Sequence, residues 1–332
     1  MAELSEPTGA LTAETADTTR PARRLDIVGR RNVFFAISLL VIVPGIISMV
    51  TQGFLLGIDF QGGTEFFIKF QTSPQPSLAA VEAAVAAENV HGTVQQATDG
   101  TFIVRTGVLN PAQQGTFEDD LAKKVAPIDH QAIQVNSVGP TIAQEIVQNA
   151  LIAIVLASFL ILLYLAFRFR RVQGGWRSGF QFGGSALLAL LHDVFLVAGV
   201  FSILGKGIPF LGFHGLRIGE IDSLFLTAIL TVVGFSVHDT IVVFDRIREN
   251  LIVANRLTFE QVVNLSIMQT AARSIITSFT VVLVLLALFL FGGDTLKGFV
   301  LALLVGIVSG TYSSIFNAST LLVVWRRLQT VR

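Results

Sequence analysis

Two dipeptides carry most of the chemistry open to this chain. Leu191-His192-Asp193-Val194 and Val237-His238-Asp239-Thr240 each set a histidine and a carboxylate in the middle of a long apolar run. An ionised Asp near a bilayer centre costs about 2.5–3.5 kcal/mol even on the most lenient insertion scale. Two such groups point to proton or ion movement inside a membrane. Ser236 shares a helical face with Asp239 and Thr240 adjoins it. Their hydroxyls could hydrogen-bond the carboxylate or line a wet path. A carboxyl balanced between desolvation and a nearby cation can load and release protons. The plainer alternative is an Asp that hydrogen-bonds a neighbouring helix. For Asp193, with fewer polar neighbours in sequence, both readings stay open. His192 and His238 each sit one residue, roughly 100° of helix, from an Asp. A proton relay is chemically available to them, but an interhelical hydrogen bond suits their position better. Arg273 opens the fifth apolar run, where an anchor that snorkels to the headgroups is the simpler role.

Long apolar elements must position these groups. The chain has 332 residues, 52% apolar and only 14% charged, where a soluble domain carries about a quarter charged residues. Apolar runs occupy about 33–54, 142–166, 184–205, 221–244, 272–292 and 297–324. Each is near or above the ~20 residues that cross a bilayer. Six spans put both termini on one side. Sixteen of the 23 Lys and Arg lie on the side of the termini, so the positive-inside rule makes that side cytoplasmic. Residues 1–31 read as a disordered, basic cytoplasmic tail, with no cleavable signal, ahead of a first span that stays in the membrane. Residues 328–332 form a short cytoplasmic tail. Pro44-Gly45 should bend the first span, and Gly306 and Gly310 match a small-xxx-small packing pattern in the sixth. The segment Asp245–Asn250 reads as a solvated extension of the fourth.

Residues 55–140 form one extracytoplasmic domain. Gly63–Phe70 alternates as a strand, and Ser77 is a good N-cap for a helix over Leu78–Glu88. Val90–Thr98 and Thr101–Arg105 flank Asp99-Gly100, a hairpin signal. Phe117–Val125 reads as a second helix and Gln131–Val138 as a last strand. The order βαββαβ is the ferredoxin-like split arrangement. The fold class is therefore a polytopic α-helical membrane protein, with six transmembrane helices and one α+β domain between helices 1 and 2.

Several functions are excluded or unsupported. Cys is absent, so disulfides and thiol chemistry play no part. The five His lack metal-ligand spacing, net charge is zero, and no P-loop or nucleophile elbow is visible. No cofactor, metal, nucleic acid or enzymatic reaction is expected.

Five stretches agree with one family. Gly57-Ile58-Asp59-Phe60-Gln61-Gly62-Gly63-Thr64, the Leu191–Val194 run and Ser236–Glu249 resemble the SecF branch of the SecD/SecF protein-export family, as do Ala272–Ser278 and Gly310–Phe316. The resemblance covers about residues 30–327. That family is a branch of the resistance-nodulation-division superfamily. The resemblance implies a SecD-like partner completing a twelve-helix assembly, and the SecYEG channel, YajC and a translocating preprotein as further partners. It implies that the proton-motive force is used for export, with the family's membrane Asp on Asp239 and its functional Arg on Arg273. The position before that Asp is often Asn in the family and is His238 here, which bears on the proton path. Gly57, Asp59, Gly62 and Gly63 are signature positions, and the two later glycines read simply as a turn into the first strand. Half of a small-molecule or lipid exporter is the alternative function; a scaffold or sensor would leave the mid-membrane aspartates without a purpose.

Overall fold

The computed structural model describes residues 26–88, 92–97, 99–129, 131–172, 174–208, 213–214, 216–254 and 256–330. The expected tail over 1–25 lies outside the described residues, as do Asn255, 331–332 and parts of the loops in the α/β domain.

Six helices are long and apolar enough to cross a membrane. They are α1 (Arg31–Thr51), α5 (Pro140–Arg168), α6 (Trp176–Lys206), α7 (Ser223–Val253), α8 (Phe259–Phe291) and a composite sixth. The sixth runs from a 3₁₀ turn at Asp294–Leu296 through α9 (Lys297–Tyr312) and a π-helical turn at Ser313–Ala318 into α10 (Ser319–Thr330). The apolar cores of α1, α5 and α8 are each 17% buried, against 50% for α7 and 56% for the sixth helix. Thus α7 and α9 form the centre and α1, α5 and α8 the periphery. This is a multi-pass membrane protein.

Several helices overrun their apolar runs. The third begins at Trp176, the fourth ends at Val253 and the fifth begins at Phe259. Apolar length marks only what lipid must cover, and helix continues wherever polar side chains find partners. Asp245 pairs with Arg168 and Arg248, both at 3.0 Å. Asn250 donates to Ser266 at 2.8 Å and to Gln269 at 2.9 Å. The Asp245–Asn250 stretch is therefore a joint between α5, α7 and α8 rather than a freely solvated extension. The tail is also shorter than expected. Ile27 and Val28 are buried, and both backbone N–H groups reach Asn264 Oδ1.

Close contacts set the helix spacing. A Cβ on Gly45 would lie 2.8 Å from Gly199 Cα, so α1 and α6 cross backbone to backbone. A Cβ on Gly306 would lie 2.2 Å from Val232 Cγ2, and one on Gly310 would lie 3.0 Å from Ser236 Cβ. The small-xxx-small pattern thus seats α9 on α7. At the terminal side of the bundle, Phe182 stacks on Phe169 at 4.8 Å and meets Phe244 edge-on at 5.0 Å.

The domain between α1 and α5 has β1 (Leu55–Leu56), α2 (Ile58–Gln61), β2 (Gly63–Ile68), α3 (Leu78–Ala86), β3 (Thr93–Gln96), β4 (Phe102–Thr106), α4 (Pro111–Lys124) and β5 (Gln134–Val138). From β2 onward the order is βαββαβ, and the sheet runs β3-β4-β2-β5 with every pair antiparallel. Each crossover helix therefore skips a strand, as the split arrangement requires. Ser77 caps α3 by accepting from Ala80 N–H. The second helix starts earlier than expected, because Pro111 is its first residue and Asn110 with Gln113 forms a capping box. Phe66, Ile68, Phe102 and Val104 on one sheet face pack with Val81, Phe117 and Leu121 of the helices. The other face carries Glu65, Phe67, Ile103 and Arg105. It looks across a cavity of about 830 Å³ toward Asp222 and Lys297, near the starts of α7 and α9.

After α6 the chain forms β6 (Gly207–Ile208) paired with β7 (Phe213–His214), and then β8 (Glu220–Ile221). Strand β8 runs parallel to β1, with Leu55 opposite Glu220 and Leu56 opposite Ile221.

Candidate proton site

Helix α7 holds Asp239 at mid-length with its side chain inside the bundle, 2% exposed. Ser278 of α8 donates to its Oδ2 at 3.4 Å and shares a 2.5 Å hydrogen bond with Thr311 of α9. His238 Nδ1 lies 3.9 Å from Oδ1, on a side chain that is 76% exposed. A carboxylate offers about four acceptor positions, and among the described residues the Ser278 and Thr311 hydroxyls are the donors set against Asp239, which leaves it with fewer donors than that number.

Asp193 meets different surroundings. It is 1% exposed at the middle of α6 and accepts from Ser236 and Ser309 at 2.7 Å and from Ser313 at 2.6 Å. His192 Nδ1 lies 3.0 Å from Oδ1. Four partners from three helices fill its capacity. The sequence offered less support for Asp193 than for Asp239, and the geometry reverses that order. The reason is rotation. Ser236 shares a face with Asp239 but lies about 60° from it on the helix, enough to aim at α6 and α9 instead. Thr240 likewise turns away from Asp239, with Oγ1 donating to Ser236 O at 3.0 Å and sharing a 2.8 Å bond with Ser314. Of the two hydroxyls, Ser236 does bond a carboxylate, that of Asp193, while Thr240 bonds the backbone and Ser314.

The two histidines part company in the same way. His192 is largely buried, stacked at 6.4 Å on Tyr312. His238 points outward along a stripe with Ser223, Thr227, Thr231 and Gly234, all exposed on α7. Arg273 is exposed on α8, and among the described residues no ion pair joins it to Asp239. The structure thus brings Asp193, Ser236 and His192 together, sets Asp239 beside them on the next face, and leaves Arg273 and His238 turned outward.

Five residues of the site escaped the sequence reading: Ser278, Ser309, Thr311, Ser313 and Ser314. Their signal was the density of hydroxyls in an apolar helix. Ser309, Thr311, Ser313, Ser314, Ser319 and Thr320 are all buried in the sixth span, where each must find a partner. The π-helical turn is the second missed feature. It brings Ser313 to Asp193 and Ser314 to α7 from adjacent positions.

The signature residues lie at the other end of α7. Asp59 Oδ2 accepts from Ser223 N–H at 2.9 Å, and Gly57 N–H donates to Ile221 O at 2.8 Å. Gly62 and Gly63 have φ of +76° and +147°, which β-carbon-bearing residues rarely adopt. Beside them burial pushes the Glu220 carboxyl above its usual range, against the pull of Arg105 and Arg217.

Residues 118–328 match the family described as protein export membrane protein SecD/SecF, C-terminal, and residues 47–74 match its GG motif. The protein translocase subunit SecF of Thermobaculum terrenum is 44% identical over 93% of this chain and 96% of its own length. Its counterpart in Anaerolinea thermophila is 41% identical over 91% and 94%. The crystal structure of SecDF from Thermus thermophilus, titled a translocon-associated membrane protein, superposes with a TM-score of 0.75 at 32% identity. This chain spans 41% of that longer one, and 95% of its own residues are matched. A structure of SecDF in a super-membrane-facing form superposes at 0.64. The chain belongs to the SecD/SecF family of protein-export membrane proteins.

Proposed function

We propose that this chain is the SecF-type half of a proton-driven export complex in the cytoplasmic (inner) membrane and carries no enzymatic step. Both termini are cytoplasmic and residues 55–140 extracytoplasmic. A SecD-like subunit completes a twelve-helix assembly, which works with SecYEG and YajC on a translocating preprotein. The supporting observation is Asp239, buried in mid-helix and met by the hydroxyl of Ser278 at a long 3.4 Å, with that of Thr311 beside it. Asp239 adjoins His238, the last residue of an outward face of α7 that carries Ser223, Thr227, Thr231 and Gly234 beside Leu224 and Leu230. Lipid has no use for Thr227, Thr231 and His238, whereas a second helical half would cover them. Relatives that are translocase subunits along nearly their whole length favour this reading over a small-molecule or lipid exporter.

In this account Asp239 alternates between protonated and ionised forms as access switches sides. Arg273 supplies the counter-charge in one state, reaching Asp239 by a movement of α8 or through the partner. Asp193 stays tied into its hydroxyl cage and holds α6, α7 and α9 in register. One charge crossing the whole membrane releases about 2.3 kcal/mol per 100 mV. That biases a two-state bundle by up to about fiftyfold, at 1.4 kcal/mol per tenfold.

The test is preprotein translocation in membrane vesicles with and without an uncoupler. Asp239→Asn keeps shape and hydrogen bonding but cannot ionise. It should assemble normally and lose the uncoupler-sensitive part of export. Full uncoupler-sensitive stimulation in that variant would exclude Asp239 as the coupling group.

A further inference from the structure

The contacts of the signature Gly57–Gly63 reach well beyond a turn. Helix α7 begins with free N–H groups that need acceptors. Asp222 serves one in the ordinary way, accepting from Phe225 N–H at 2.7 Å. Asp59, from a different segment, serves the first, at Ser223. Two carboxylates therefore sit at the positive end of the helix that carries Asp239, and the second comes from a segment 164 residues earlier in the chain.

The glycines make this approach possible. A Cβ on Gly57 would lie 2.8 Å from Glu220 Oε1, and one on Gly63 would lie 2.7 Å from Thr106 O. The segment is thus pressed between the lead-in to α7 on one side and the sheet on the other. Parallel pairing of β1 with β8 continues the contact. A chain of charges closes it from above. Arg105 of β4 bonds both Glu65 of β2 and Glu220 of β8, and Arg217 bonds Thr93 of β3 and lies 3.9 Å from Glu220. Covalently the domain hangs only on the ends of α1 and α5. These contacts add a third attachment, and it goes to α7.

We infer that Asp59 is a positioning residue for Asp239: with the Glu65–Arg105–Glu220 chain it locks the α/β domain and α7 into one body. The domain's orientation then sets the tilt and depth of the helix at Asp239, some 24 Å down at ~1.5 Å per residue. This rests on Asp239 as the coupling group for its consequence, but the mechanical joint can be measured independently.

The chain is free of Cys, so paired spin labels can be placed at will. Thr116 on α4 and Ile252 at the far end of α7 are both exposed. In the full chain with its partner subunit in lipid nanodiscs, pulsed EPR between these positions should give one narrow distance distribution. Asp59→Ala should raise the population outside that peak about fivefold, as loss of an N-cap worth ~1 kcal/mol would do. Asp59→Asn keeps an acceptor oxygen and should restore the narrow peak. Arg105→Gln should loosen the joint as Asp59→Ala does, and it keeps the question answerable if the latter fails to fold. Proton flux gives the second readout. The pH at half-maximal flux should shift in Asp59→Ala and return in Asp59→Asn, a pattern that general destabilisation would not produce. An unchanged distribution in both Asp59→Ala and Arg105→Gln would overturn the joint. Unchanged flux in Asp239→Asn would remove the functional reading while leaving the distances valid.

Discussion

At the residue scale, the same His-Asp dipeptide meets two different surroundings. Asp193 is saturated by three hydroxyls and an imidazole, whereas Asp239 meets the hydroxyl of Ser278 only at 3.4 Å, with Thr311 beside it. A saturated carboxylate holds structure, and a sparsely bonded one can change its proton. Interhelical hydrogen bonds in membranes are worth about 0.6 kcal/mol each and at most about 1.7. Asp193→Ala should then destabilise the chain by roughly 2–5 kcal/mol from its three hydroxyl bonds. Asp239→Asn should change stability by less than about 1 kcal/mol. Unfolding in detergent by a mild denaturant series measures both, and equal losses would contradict the division of labour. The contrast was hidden in the sequence because Ser236 sits on the side of α7 shared by both groups. Only the rotation of the helix against α6 and α9 decides which carboxylate it serves.

At the element scale, the six apolar runs were legible because lipid demands them. Their ends were not, because helix past the headgroups depends on partners such as Arg168 for Asp245 and Ser266 for Asn250. The π-helical turn has no apolar signature at all. It is visible only as a crowd of buried hydroxyls from Ser309 to Thr320. Helix packing itself was partly legible. Gly306 and Gly310 stood out by spacing, and both seat α9 on α7. Gly306→Val should force those helices apart and cost about 1–3 kcal/mol or more, since its Cβ would overlap Val232. Gly234→Ala has open space around it and should leave the isolated chain unchanged. Thermal unfolding of the two variants separates the cases. An equal tolerance would mean the α7–α9 contact is looser than described.

At the scale of the whole molecule, the proposed orientation in the membrane rests on the basic residues. Sixteen of 23 lie with the termini, so single cysteines at Ser77 and Ala112 should react with an impermeant reagent in intact cells. One at Arg171 should not. Labelling at Arg171 with protection at Ser77 would invert the topology and the direction of coupling with it. The βαββαβ order was readable from alternation, a good N-cap and a turn signal. The attachment of that domain to α7 was not, since Asp59 and Ser223 are brought together across 164 positions of chain. The exposed stripe on α7 was likewise invisible, because exposure within a membrane depends on how many helices the chain brings and which faces they cover.

Asp239 is proposed to carry the coupled proton. The most direct measurement is proton flux into liposomes holding this chain with its SecD-like partner, driven by an imposed pH gradient and potential. The account predicts flux above empty liposomes for the native pair, and background flux for Asp239→Asn in a fully assembled complex. Native flux in Asp239→Asn, with the variant complex intact, would contradict it.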